Sequence, residues 1–264
     1  VGAGTELSPA QIAVAPGASI AITETSGEDR HVKIEHLEWA SAAATAHDVV
    51  TTPAFRSLFS AEVLRPGLSL RVARAALLFT DLAGSTALYA EAGDAAAYTV
   101  VQAHFVALAS AARDHGGTIV KTIGDAVMAA FPTGESAARA AVAMLRAYRD
   151  LGADYPLTRR MQLRVGGYCG PCYMVTANDV LDYFGQTVNI ASRIQGLAED
   201  NGVVLPEDLI RRCVAAGWFS GLEISPGFTA NLRGIPEPVT VARICLAKSA
   251  VPDSERASAL PAPA

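Results

Sequence analysis

The sequence predicts an α+β fold, an open sheet with helices on one face, preceded by a small β-rich segment. Three observations carry this reading. Strand-like and helix-like segments alternate from Ala75 to Cys245, and an open sheet with helices is the economical solution for that order. The run Leu77-Leu78-Phe79-Thr80-Asp81-Leu82-Ala83-Gly84-Ser85-Thr86 delivers a carboxylate from an apolar stretch into a small-residue turn and then starts a helix. In Lys121-Thr122-Ile123-Gly124-Asp125-Ala126-Val127-Met128-Ala129-Ala130-Phe131 a second carboxylate stands at the tip of a tight Gly-Asp turn between two apolar segments.

Residues 1–69 read as a β-rich segment with a short helix. Ser19-Ile20-Ala21-Ile22-Thr23 and His31-Val32-Lys33-Ile34-Glu35 both alternate, and Ser26-Gly27-Glu28-Asp29 between them is turn chemistry, so a hairpin is expected. Phe55, Leu58 and Phe59 fall at helical spacing within 54–63, and Arg65-Pro66-Gly67 stops that helix. The main domain spans 70–246. It begins with a strand at 75–80, helices across 84–115, a hairpin at 118–131, a helix at 134–150 and a strand at 161–168. After a turn at Cys169-Gly170-Pro171-Cys172 come a strand at 171–176, a helix at 185–198, a short helix from Pro206 and a last strand at 238–245. Residues 247–264, rich in Ala, Ser and Pro, are expected to be disordered.

Hydrophobic residues make up 51% and charged residues 18% of the 264, enough to bury a sizeable core. A net charge of -5 without a clustered basic surface argues against a nucleic-acid partner. No run of about eighteen uncharged apolar residues stands out and the start lacks a signal-peptide pattern, so membrane insertion is not expected. Cys169, Cys172, Cys213 and Cys245 are expected as reduced thiols in the cytoplasm. The chain begins at Val1 without methionine, which leaves room for an upstream regulatory domain.

Two carboxylates at strand ends suit hard cations that hold a phosphate. Taken singly, Asp81 is also explained as a helix N-cap and Asp125 as a turn residue. A third block, Leu181-Asp182-Tyr183-Phe184-Gly185-Gln186-Thr187-Val188-Asn189-Ile190-Ala191-Ser192-Arg193, places Asn189 and Arg193 four apart on one helix face. The histidines, His31, His36, His47, His104 and His115, form no ligand-like spacing and read as surface or helix residues.

The three blocks in this order resemble the class III nucleotidyl cyclases, in a bacterial branch with a β-rich lead-in. The resemblance implies a ferredoxin-like open sheet and an adenylate cyclase that converts ATP to 3′,5′-cyclic AMP and pyrophosphate. It implies two Mg2+ or Mn2+ ions held by Asp81, Asp125 and the Leu82 backbone. The backbone from Leu82 through Gly84, Ser85 and Thr86 would cradle the β and γ phosphates at a helix start. Asn189 and Arg193 align with the pair that orients the ribose and stabilises charge on the α-phosphate. Lys121 and Asp182 fall on the positions that choose the base, and their donor and acceptor match adenine better than guanine. Arg233 lies where relatives often carry a lysine, which implies a triphosphate contact. The resemblance also implies a homodimer, with Asp81 and Asp125 of one protomer facing Lys121, Asp182, Asn189 and Arg193 of its partner.

Other readings stay open: an ATP-binding regulatory module with little turnover, a guanylate cyclase and, from Cys169-Gly170-Pro171-Cys172, a thioredoxin-like dithiol oxidoreductase. A diguanylate cyclase is disfavoured, because the turn at Gly124-Asp125 lacks the Gly-Gly-Asp/Glu-Glu-Phe signature.

Overall fold

A computed structural model describes Gly27 and residues 44–58, 64, 68–177, 180–199 and 201–246. The chain divides into two units, 1–43 and 44–264. The hairpin expected within 19–35, the end of the helix expected at 54–63 and the tail 247–264 lie outside the described residues, Gly27 apart.

In the second unit the helices are α1 (Ala46–Thr51), α2 (Pro53–Leu58), α3 (Ser85–Ala92), α4 (Asp94–Asp114), α5 (Gly134–Asp154), α6 (Gln186–Gln195) and α7 (Glu207–Ala215). The strands are β1 (Leu70–Ala83), β2 (Thr118–Ile123), β3 (Ala126–Phe131), β4 (Gln162–Ala177), β5 (Val180–Phe184), β6 (Gly202–Pro206), β7 (Leu222–Ile224), β8 (Phe228–Ala230) and β9 (Val239–Leu246). They form one sheet in the order β2-β3-β1-β4-β6-β9-β7, with β5 added on β4 and β8 on β9. Pairing is antiparallel except between β4 and β6. The α+β open sheet is as expected. Strands β5 to β8 were not anticipated, being short or lacking clear alternation.

The helices cover both faces of the sheet, not one. Residues 75–80 of β1 are all buried, so both parities of the strand need cover. Ala76, Leu78 and Leu82 pack with residues of α4, α5 and α7, whereas Leu77 and Phe79 pack with Val50 of α1 and Ala191 of α6. Helix α6 seats on β4 at Gly166, where a Cβ would meet the Gln195 nitrogen at 2.2 Å.

A second correction concerns β4, which runs unbroken through Cys169-Gly170-Pro171-Cys172 with no turn there. Its partner β1 shifts register between Val72 and Ala75, opposite Cys172 and Gly170. Pro171, which has no N–H to donate, falls at that irregularity, where a ladder bond is already missing.

Helix α4 holds an uncharged stretch at 95–112 and is, by length and composition, long and apolar enough to cross a membrane. The sequence reading passed over it. Ala97, Val101, His104, Leu108 and Ala112 of this helix are packed in the core. His104 is fully buried and His47 is 8% exposed, so neither is a surface residue.

Candidate active site

The site is built where β1 meets the β2–β3 hairpin. Gly124, at φ 65, allows the two-residue turn between the paired residues Ile123 and Ala126. Behind it the Val127 N–H donates to the buried Thr80 Oγ1 at 3.0 Å and pins the hairpin beside β1. That register brings Asp125 into the field of Asp81. The Asp81 carboxyl is held above the usual carboxylate range, first by burial and then by the Asp125 charge. Arg164, its partner in register on β4, and the Leu82 N–H pull it back down.

The second oxygen of Asp125, Oδ2, is sealed from solvent and has no hydrogen-bond partner among the described residues. An orphaned carboxylate oxygen beside a second carboxylate fits a hard divalent cation, which satisfies the one and removes the repulsion of the other. Among the described residues no cluster of three His, Cys, Asp or Glu side chains is present. A cation held here would complete its shell from backbone oxygen, such as Leu82, from phosphate and from water.

Gly84 takes φ 90 at the start of α3, and no side chain caps that helix. Its ideal Cβ would stand 3.2 Å from the Arg160 carbonyl oxygen. The N–H groups of Ser85 and Thr86, in the first turn of α3, have no intrahelical acceptor, an arrangement that suits an anion.

Lys121 on β2 and Asp182 on β5 form an ion pair of 2.5 Å. Asp182 is 8% exposed, and its other oxygen accepts the Tyr183 N–H at 2.8 Å. Asn189 and Arg193 both lie on α6, with Asn189 exposed. The Arg193 guanidinium comes within 3.7 Å of an ideal Cβ on Gly234, beside the turn that presents the exposed Arg233. The predicted residues therefore fall into three groups: the carboxylates with the start of α3, the Lys121–Asp182 pair, and α6 with the 233–234 turn. Among the described residues no hydrogen bond or ion pair links one group to another.

Sequence reasoning missed Thr80 and Arg164. An arginine between Leu163 and Val165 in a buried strand was the available signal for the second. Its Nε is buried without a hydrogen-bond partner among the described residues, and Arg164 lies directly across from Asp81 in register.

The dithiol reading is overturned. Cys169 and Cys172 are three apart on one strand, so their side chains leave opposite faces and pack with different core clusters. Cys169, Cys172 and Cys213 are free thiols. Burial, and then the neighbouring Cys169, push the Cys172 thiol up to about 11, the reverse of an activated thiol. Cys169 Sγ instead accepts from Arg74 Nε at 3.1 Å.

Solved structures with a similar fold include nucleotidyl cyclases. The adenylyl cyclase CyaB from P. aeruginosa superposes with a TM-score of 0.56 at 21% identity, covering 67% of this chain and 96% of that one. The guanylyl cyclase Cya2 does so with a TM-score of 0.58 at 20% identity, covering 67% and 94%. At these identities the likeness shows the fold. The sequence decides the family: residues 69–223 match the adenylate and guanylate cyclase catalytic domain, and the chain belongs to that class III family.

Curated relatives include "Adenylate cyclase 2" of Rhizobium meliloti (strain 1021), 30% identical over 172 residues, or 60% of this chain and 46% of the relative. "Putative adenylate cyclase 3" of the same organism is 32% identical over 142 residues, 53% of this chain and 23% of the relative. The chain thus spans less than half the length of these relatives. Class III cyclases depend on divalent metal, which agrees with the orphaned Asp125 oxygen.

Proposed function

We propose that this chain is an adenylate cyclase domain that converts ATP to 3′,5′-cyclic AMP and pyrophosphate at sites shared by two copies. The observation that supports adenine is the Lys121–Asp182 pair, which sets an ammonium donor beside a carboxylate acceptor. Adenine offers N1 as acceptor and its 6-amino group as donor. Guanine reverses both, leaving the ammonium and the carboxylate mismatched.

Asp81 and Asp125, with the Leu82 backbone, would hold two Mg2+ or Mn2+. When bound, these ions neutralise the triphosphate and lower the pKa of the ribose 3′-hydroxyl. The free N–H groups of Ser85 and Thr86, after Gly84, receive the β and γ phosphates. Arg164 and Arg233 add positive charge to that end of the substrate. Asn189 orients the ribose, and Arg193 meets the charge that develops on the α-phosphate. Loss of Arg193 therefore lowers turnover more than binding. The 3′-hydroxyl gives its proton to water, its oxygen bonds to the α-phosphorus, and the bond from that phosphorus to the bridging oxygen breaks, its electron pair leaving on pyrophosphate. Holding both ends of one molecule supplies the proximity.

A homodimer agrees with the separation of the three groups within one chain. We assign the catalytic domain to 70–246 and the protein to the cytoplasm, where Cys169, Cys172 and Cys213 stay reduced. The deciding assay measures cyclic AMP from ATP and cyclic GMP from GTP, each with magnesium and with manganese. Faster cyclic AMP formation with both metals is expected. Equal or faster cyclic GMP formation refutes the adenylate assignment.

A further inference from the structure

The strand that carries Asp182 is short and sits at the sheet's margin. β5 spans five residues and, among the described residues, pairs with β4 alone. An edge strand of this length is weakly fixed by its own ladder, yet Asp182 must be held to within a fraction of an ångström to discriminate between two purines.

The residues on either side of Asp182 are held from outside the sheet. Arg56 of α2 donates from Nη1 to the Leu181 carbonyl oxygen at 3.1 Å and from Nε to the Val50 carbonyl oxygen at 3.0 Å. One guanidinium thus ties α1 to the peptide unit just before Asp182. On the other side, the Tyr183 hydroxyl lies 3.2 Å from His47 Nδ1, and His47 Nε2 lies 3.1 Å from the Phe131 carbonyl oxygen. A carbonyl can only accept, so Nε2 carries the proton of the neutral ring and Nδ1 accepts from the tyrosine. The chain of bonds runs from β3 through His47 to the residue just after Asp182. His47 and Tyr183 are 8% and 3% exposed, and their rings meet edge to face at 5.9 Å. Val50 and Phe55 close the same apolar cluster that contains Leu181 and Tyr183.

We infer that the α1–α2 segment is a specificity-determining part of the base pocket, in which Arg56 and His47 act as positioning residues that hold β5 on both sides of Asp182. Residues 46–58 precede the stretch that matches the cyclase family, 69–223, so purine choice depends on a segment outside it. The inference rests on the reading of Lys121 and Asp182 as the base-choosing pair.

The test compares Asp182→Asn, Arg56→Met and Tyr183→Phe with the parent chain. It reads the ratio of kcat/KM for ATP to that for GTP, the displacement of a fluorescent nucleotide by ATP and by GTP, and the melting temperature. In all three variants the ATP preference is expected to fall about tenfold in both ratios, as loss of one well-placed polar contact implies. The melting temperature of Tyr183→Phe should stay within a few degrees of the parent. A change in stability alone does not alter a ratio between two nucleotides, so the ratio separates positioning from packing. If Asp182→Asn shifts the preference while Arg56→Met and Tyr183→Phe retain it, the inference is overturned and the base pair stands. If Asp182→Asn also retains it, both fall. Should Arg56→Met fail to fold, Tyr183→Phe, which deletes one hydroxyl, decides the question alone.

Discussion

The Lys121 ammonium and the Asp182 carboxylate close a 2.5 Å contact across 61 residues of chain. The lysine side chain is 36% exposed and the aspartate 12%, so the pair faces outward at one end only. On the proposed reading of this pair, a purine entering here would exchange the contact for two hydrogen bonds of the matching polarity.

Base choice should therefore follow that polarity. Lys121→Glu combined with Asp182→Cys is expected to lower kcat/KM for ATP by about tenfold or more and to relieve the penalty on GTP. Parallel assays of cyclic AMP and cyclic GMP check it, and an unchanged preference refutes the pairing.

The carboxylate pair makes a prediction about stability as well as rate. Because the folded-state pKa of Asp81 is raised, its contribution to stability is present at low pH and lost as pH rises through that pKa. At neutral pH without metal the pair is repulsive. Manganese at about a hundred times its Kd should stabilise the parent by about 2.7 kcal/mol, or about 5–10 °C in melting temperature. Asp81→Ala and Asp125→Ala should lose turnover, keep the parental circular dichroism and show little of this metal-dependent shift.

Shared sites predict complementation. Asp125→Ala and Arg193→Ala should each be inactive, because each damages both sites of its own homodimer. In a heterodimer both lesions fall in one site and the other is whole. With free exchange of equal amounts, about half the dimers are heterodimers with one working site of two, so activity should return to about a quarter of the parent. No recovery, with subunit exchange shown by a tag pulldown, places the whole site within one chain.

His104 should make the fold acid-sensitive. Its pKa is lowered to about 4, chiefly by burial, against opposing pulls from the Asp125 backbone and carboxylate. The unfolded chain binds this proton near pH 6.5 and the folded chain does not. Stability of the metal-free protein should then fall as pH drops from about 6.5 to about 4, by about 3 kcal/mol in all. Burial lowers His47 as well, with the same sign. Urea melts at pH 7 and pH 4.5 in chelator check this, and His104→Leu should flatten the slope.

Much of the candidate site was legible in the chain because its proposed residues sit at strand ends and helix starts, where local rules are strong. Asp81 ahead of Gly84, Asp125 after Gly124, and Asn189 with Arg193 on one helix were all readable from spacing and turn chemistry. The hairpin, the long helices and the last strand were found within a few residues of their observed ends. Thr80 and Arg164 were not singled out, since their roles come from register: Val127 must lie beside one and Asp81 opposite the other.

By itself the sequence determined the α+β class, the order of the main elements and the residue types available for the chemistry, because these follow from periodicity, turn residues and side-chain identity. Only the tertiary structure decided that Cys169 and Cys172 face away from each other, that helices cover both faces, and that Arg56 and His47 grip the strand of Asp182. Each of those facts depends on which backbone segments meet at long range, and a strand's neighbours are chosen by the packing of the whole sheet, not by the residues within it.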